Sequence, residues 1–315
     1  MTKPYGSIPP FLRNGGEDDY AKVNGSHKAD LHIHSCYSAD GEYTPAELVQ
    51  MCMDAGISTM AIADHNCVKG AQAAIEIVKS TQLNYYPAIE IDCTYQSTNF
   101  HVLGYGINLE SPDFEAIEQS VRKQCADASQ KSLRLVNRMG FDLTGEDLKE
   151  VTSGGYWSES WTGEAFAEAL LKNEKYLEND LLRPYRKGGN RSDNPYVNFY
   201  WDYCSQGKPC YAGMTYPDMR DVIDIIHCNN GKAVLAHPGV NLHGDFDRID
   251  QLILLGLDGI EAYSSYHSPE VARWFLRKAR QHGVFVTCGS DFHGRTKPAI
   301  QLGHCGAEPF FMERV

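Results

Sequence analysis

Two histidines, His32 and His34, stand two residues apart in DLHIHS, and Asp40, beside a glycine, follows six residues later. Imidazole nitrogen and carboxylate oxygen are the donors that suit Zn²⁺, Mn²⁺ or Fe²⁺ far better than Ca²⁺. The same residue types recur at the ends of short apolar runs. TMAIADH ends in Asp64 and His65, YPAIE in Glu90, and NFHVLGYG carries His101. AVLAHP ends in His237, and VFVTCGSDFHG ends in Asp291 and His293, again two apart. A single strand histidine is usually a packed structural residue, so the ordered series carries the inference and no one member does.

These runs read as strands alternating with amphipathic helices. Strands are expected over 28–35, 58–64, 85–92, 99–107, 232–237, 258–263 and 284–290, and helices over 45–55, 69–80, 217–230, 246–255 and 269–282. Thr44 as N-cap, Pro45 at the first position, Glu47 at N3 and Gly56 beyond the end define the first helix. The pattern is that of a parallel α/β protein. Residues i and i+2 of a strand share a face, so His32 and His34 lie side by side. In an α/β barrel, functional side chains gather at the C-terminal ends of the strands. His32, His34, Asp40, His65, Glu90, His101, His237, Asp291 and His293 would then meet around one cavity. Uncompensated, the carboxylates repel and the buried imidazoles lack partners; divalent cations remove both costs. The set exceeds what one ion can use and suits two or three, with Glu90 as a bridge.

Other polar residues read more plainly. His27, His227, His282 and His304 are expected on the surface or on helices. His243 and His267 follow strands near the same rim and are candidates for substrate contact. Asp258 and Glu261 sit at either end of a strand, and Glu261 is either a partner of a ligand or a solvated or capping residue. Cys36 is a neighbour of the histidine pair.

The alternation is interrupted over 111–214 by a segment that is helical at first and then loop-rich and aromatic. The expected organisation is an arm over 1–26, one α/β domain from 27–110 and 215–315, and an inserted domain over 111–214. Within it, Arg183, Arg186, Lys187, Arg191 and Lys208 are candidates to bind an anionic group such as a carboxylate. Tyr196, Phe199, Tyr200, Trp201 and Tyr203 either pack on a ring of a ligand or form the inserted domain's own core.

The chain has 315 residues and a formal net charge of −12, which disfavours a long basic groove for duplex nucleic acid. Its ten cysteines form no CxxC pair and read as reduced, mostly buried thiols. No apolar run has the length of a membrane span or of a signal peptide, so a cytoplasmic location is expected. Nothing in the sequence bears on oligomeric state.

With these residues in place, DLHIHSCYSADG, AIADHNCVKG, AIEID, HVLGYGI, AVLAHPG and GSDFHG together resemble the polymerase-and-histidinol-phosphatase (PHP) family of metal-dependent phosphoesterases. The resemblance spans residues 30 to 294 with the insertion outside it. It implies a distorted (β/α)7 TIM-like barrel, with the insertion capping a trinuclear site at the C-terminal rim. It also implies one metal on His32, His34, Glu90 and Asp291, a second on Glu90, His101 and His237, and a third on Asp40, His65 and His293. Asn66 stands where the family often has Asp, and Gly239-Val240 where nucleotide-acting members often place a basic residue. The implied reaction is hydrolysis of a phosphate mono- or diester of a small sugar phosphate, cyclic phosphate or nucleotide by a metal-bridging hydroxide. Asp291, His65 and His293 would handle protons, and Lys208, Arg191, Arg183 and His267 would contact the substrate. The competing readings are an amidohydrolase-type C–N hydrolase, which shares HxH on a first strand, and a metal-binding module without turnover.

Overall fold

A computed structural model of the chain describes residues 28–305; the expected arm and His27 lie outside the described residues. The strands are β1 (Lys28–Ile33), β2 (Ile57–Ile62), β3 (Asn84–Tyr85), β4 (Ala88–Tyr95), β5 (Thr98–Tyr105), β6 (Lys232–Leu235), β7 (Gly259–Ser264) and β8 (Phe285–Gly289). The helices are α1 (Pro45–Asp54), α2 (Lys69–Val78), α3 (Pro112–Arg138), α4 (Gly145–Thr152), α5 (Gly163–Lys172), α6 (Pro195–Phe199), α7 (Met219–Cys228), α8 (Pro238–Asn241), α9 (Ile249–Ile253) and α10 (Pro269–His282). The capping box at α1 forms as its sequence dictates, with Thr44 N donating to Glu47 Oε2 at 2.8 Å and Glu47 N to Thr44 Oγ1 at 3.3 Å.

The strands form two sheets, β1-β2-β3 and β4-β5-β6-β7-β8, rather than one closed parallel ring. Two features of the sequence cause the departure. Pro87 lacks an amide donor and divides the expected 85–92 strand into β3 of the first sheet and β4 of the second. Gln96 and Ser97, both at positive φ, then make a two-residue turn between β4 and β5. Such a hairpin can only pair its strands antiparallel, and β5 also runs antiparallel to β6. The expected 246–255 helix is likewise broken, into a 3₁₀ turn at Phe246–Arg248 followed by α9.

The sheets meet at two seams, both beside the candidate ligands. At one, His34 N donates to Phe292 O and Asp291 N to His32 O, each at 2.9 Å. At the other, Asn66 N donates to Glu90 O at 2.7 Å and Glu90 N to Asp64 O at 3.1 Å. A small apolar cluster that includes Leu31, Ala61, Leu103 and Val234 draws on both sheets. Larger clusters fill the space between sheet and helices, around Ile89, Phe100, Ile226 and Phe275 on one side and Leu48, Met60 and Ile62 on the other.

The chain between β5 and α7 buries a cluster of its own that includes Val136, Phe166, Leu170, Tyr185 and Phe199. Trp157 Nε1 donates to Tyr37 O at 2.5 Å, and Ala299 N donates to Asn194 Oδ1 at 2.8 Å. Those bonds tie this segment to the loops after β1 and β8. No helix among the described residues is long and apolar enough to cross a membrane.

Candidate metal centre

Two buried aspartates fix the strand ends that carry the ligand candidates. Asp30 accepts from Ser290 N and Ser290 Oγ at 2.9 and 2.6 Å and from Gly303 N at 2.7 Å, which joins β1 to the end of β8. Asp64 accepts from Ser35 N, Ser35 Oγ and Ser38 Oγ, all at 2.7 Å, which folds the loop after β1 toward the end of β2. Three of the turning positions, Asn66, His237 and Asp291, adopt positive φ without being glycine, a cost that surrounding structure must offset.

All nine candidates come together. His32, His34, Glu90 and Asp291 form one group whose donor atoms lie within 4.8 Å of one another; His65, Glu90 and His101 form a second, and His34, His65 and His293 a third. His237 Nε2 lies 3.0 Å from Glu90 Oε1, and His293 Nε2 lies 3.2 Å from Asp40 Oδ2. The grouping differs in detail from the one implied by resemblance. His65 Nδ1 sits 3.2 Å from Glu90 Oε2, between the second and third sets.

The outer hydrogen bonds determine which ring nitrogen faces the centre. His32 Nδ1 donates to Glu261 Oε1 at 3.0 Å, His293 Nδ1 to Asp291 O at 2.8 Å, and His237 Nδ1 to Asn241 Oδ1 at 2.9 Å. Ser38 Oγ gives its proton to Asp64, so toward His34 Nδ1, 2.9 Å away, it accepts. In each ring Nδ1 carries the hydrogen and Nε2 keeps a lone pair. These lone pairs face carboxylate oxygens. His32 Nε2 is 3.1 Å from Glu90 Oε2 and 3.4 Å from Asp291 Oδ1; His34 Nε2 is 3.2 and 3.1 Å from the same atoms. Nε2 of His32, His34 and His293, Nδ1 of His65, Glu90 Oε2, Asp40 Oδ1 and Asp291 Oδ1 are all buried without a hydrogen-bond partner. Lone pairs set against carboxylates repel, and cations placed between them convert both contacts to attraction. The donor set therefore fits divalent metal ions.

Four supporting residues escaped the sequence reading as assigned partners. Glu261, fully buried, bonds both His32 Nδ1 and His237 N, the latter at 2.8 Å. As the only charged residue in GIEAYS it was visible, but its role was ambiguous. Asp92 accepts from Asn66 Nδ2 at 2.6 Å and lies 3.0 Å from His101 Nε2, so Asn66 acts on the ligand set through Asp92. Lys297 and Tyr266 both reach Asp291 Oδ2, at 2.6 and 2.5 Å. Burial opposes ionisation of Asp291, but the Lys297 ammonium beside it holds it well below the usual carboxylate range. Burial likewise opposes ionisation of Glu90; without a metal ion, protonated imidazoles at His32, His101 and His65 hold it well below that range, and divalent ions would take the place of those protons.

The substrate candidates lie elsewhere. Arg183 is exposed and pairs with Asp180 at 2.6 Å. Arg191 is clamped by Asp202, with Nε at 3.0 Å and Nη2 at 2.8 Å, and Arg186 donates to Leu171 O and Tyr176 O. Lys208 is exposed and outside the cavity wall. His267 spends Nδ1 on Ala262 O and Nε2 on Gly239 N. Each arginine has an acid or carbonyl nearby in sequence that binds it locally, although Arg186 Nε is buried without a hydrogen-bond partner. His243 does line the cavity. His227 and Asp258 pair with each other at 2.6 Å, and Asp258 also accepts from Ala233 N.

The centre opens into a cavity of about 290 Å³ walled on the far side by Trp157, Trp161, Tyr200, Trp201, Tyr211 and Tyr216. Two sheets thus bring a histidine–carboxylate cluster to one end of this cavity. The model of the PHP domain matches residues 30–187, and the chain belongs to that family. It is 27% identical to the 3′,5′-nucleoside bisphosphate phosphatase of Chromobacterium violaceum over 285 residues, covering 87% of this chain and 90% of that protein. It is 29% identical to the 5′-3′ exoribonuclease Rnm of Escherichia coli over 284 residues, covering 87% of each. A solved structure from Chromobacterium violaceum, described as an amidohydrolase with bound sulfate and no metal, aligns with TM-score 0.73 at 24% identity, covering 88% of this chain and 90% of that one. At that identity the likeness speaks for the fold alone.

Proposed function

We propose that the protein is a metal-dependent phosphoesterase that hydrolyses the phosphate ester of a small metabolite, a sugar phosphate, cyclic phosphate or nucleotide. The observation that carries this is the set of inward Nε2 lone pairs opposed to Glu90, Asp40 and Asp291. The activities named for both curated relatives, a phosphatase and an exoribonuclease, break phosphoester bonds. We assign one ion to His32, His34, Glu90 and Asp291, a second to Glu90, His101 and His237, and a third to Asp40, His65 and His293. Zn²⁺, Mn²⁺ and Fe²⁺ match these donors.

Bound there, such ions supply Lewis acidity, neutralising phosphate charge and making water more acidic. Hydrolysis breaks the P–O bond to the alcohol, joins phosphorus to the oxygen of water, and delivers a proton to the departing oxygen. Asp291 Oδ1 faces the histidines while Oδ2 is held by Lys297 and Tyr266, which keeps this carboxylate ionised and aimed at the ions; in this reading it is also the first of the proton carriers. His65, 23% exposed at the cavity, and His293 are the further proton carriers in this reading. The inserted segment 111–214 acts as the cap that receives the leaving group; its aromatic wall supports that role. Free cysteines throughout the described residues agree with a cytoplasmic setting. The net charge of −12 and the scarcity of cations at the cavity favour a small substrate over duplex nucleic acid.

The test is turnover of p-nitrophenyl phosphate and bis-p-nitrophenyl phosphate with Mn²⁺, alongside a panel of phosphorylated metabolites, a short 5′-phosphorylated RNA and amide substrates. Hydrolysis of phosphoesters, abolished in His32→Ala/His34→Ala, is the expected result. Cleavage of amides alone would establish the C–N hydrolase reading, and metal uptake without turnover on any substrate would establish a binding module.

A further inference from the structure

The far wall of the cavity carries a carboxylate where a phosphate-binding wall would carry arginine. Glu164 sits in the first turn of α5, only 6% exposed, and lines the cavity. Burial and the nearby Asp40 push its carboxyl up to about 7; cations at the centre would favour its ionised form. Among the described residues lining the cavity, the only Lys or Arg is Lys297, and its ammonium lies 2.6 Å from Asp291 Oδ2. The cap's arginines at 183, 186 and 191 are bound to Asp180, to main-chain carbonyls and to Asp202. A second anionic group on the leaving alcohol would therefore meet indole and phenol rings and a buried acid, with no free cation on the wall to pair with.

Resting on the phosphoesterase reading, we infer that Glu164 is a specificity-determining residue that excludes leaving groups bearing a second phosphate and admits uncharged, ring-bearing alcohols. Discrimination here works by repulsion: an unpaired charge is built against the wrong ligand. Burial makes it effective, because two like charges in a poorly solvated site are weakly screened. The aromatic wall supplies the attraction for a neutral ring. This sets the chain apart from its 27%-identical relative, whose named substrate carries two phosphates.

The experiment compares kcat/KM of the Mn²⁺-loaded protein at about pH 8.5, where the Glu164 carboxyl is ionised, for adenosine 5′-monophosphate and adenosine 3′,5′-bisphosphate, with p-nitrophenyl phosphate as the reference ester. Because like-charge juxtaposition at an interface is costly, the monophosphate is expected to be preferred by about tenfold or more. Glu164→Gln, which keeps the shape and removes the charge, should shrink that ratio by about fivefold or more. The wild-type ratio is informative even should the variant not fold. Preferred hydrolysis of the bisphosphate while p-nitrophenyl phosphate is turned over would overturn this inference and leave the phosphoesterase reading intact. A ratio unmoved in a folded Glu164→Gln protein would overturn it equally. Failure to hydrolyse any of the three esters would remove the reading beneath it as well.

Discussion

His32 cannot face a cation correctly by itself; its ring is aimed by Glu261, which takes the Nδ1 proton and leaves Nε2 for the centre. Outer partners of this kind typically tune metal affinity or activity by about 10- to 100-fold. Glu261→Gln retains the volume but can present an amide donor to Nδ1 and favour the other tautomer. It should lower affinity for Mn²⁺ by about tenfold or more, read by equilibrium dialysis with metal analysis; unchanged affinity would mean that Glu261 is a packing residue. The nine inward side chains were legible because His, Asp and Glu at the ends of apolar strands are hard to explain otherwise. Glu261 and Asp92 were less so, since a lone acid in a strand has several ordinary uses. Lys297 gave no signal at all: it lies in a loop of common composition, and its buried ammonium is explained by Asp291, distant in neither sequence nor space. The cap's arginines misled for the opposite reason. Their charge suggested a substrate, but Asp180 and Asp202 already hold Arg183 and Arg191.

Among the elements, α2 shows how tightly strand ends and helices are fitted around the centre. A Cβ on Gly70 would overlap the Asp64 carboxylate and come within 2.6 Å of Ser35 Oγ. Gly→Ala in a helix ordinarily gains up to about 1 kcal/mol. Here the substitution presses on the carboxylate that organises the loop bearing His34 and Asp40, so Gly70→Ala should destabilise by about 1–3 kcal/mol, measured by urea unfolding. A stabilised variant would show that Asp64 has room to move and that the loop does not depend on it. Outside 111–214, the order of the main strands and helices and most of their boundaries followed from periodicity and caps. The pairing directions did not, because hydrophobic pattern specifies which face is buried and not which neighbour a strand takes. The Gln96-Ser97 hairpin and the break at Pro87 made that choice.

For the molecule as a whole, the decisive feature is convergence. Residues from His32 to His293 reach one place because two sheets abut at two seams and each seam ends in ligands: His34 and Asp291 at one, His65 and Glu90 at the other. The segment between β5 and α7 has a core of its own yet is pinned to the loops after β1 and β8, and the cavity is walled by residues of both parts of the chain. The most direct measurement of this account is an anomalous-difference map from crystals soaked in Mn²⁺. The account predicts two or three strong peaks enclosed by His32, His34, Asp40, His65, Glu90, His101, His237, Asp291 and His293. A map with no peak among these side chains, from crystals that take up the ion elsewhere, would contradict it.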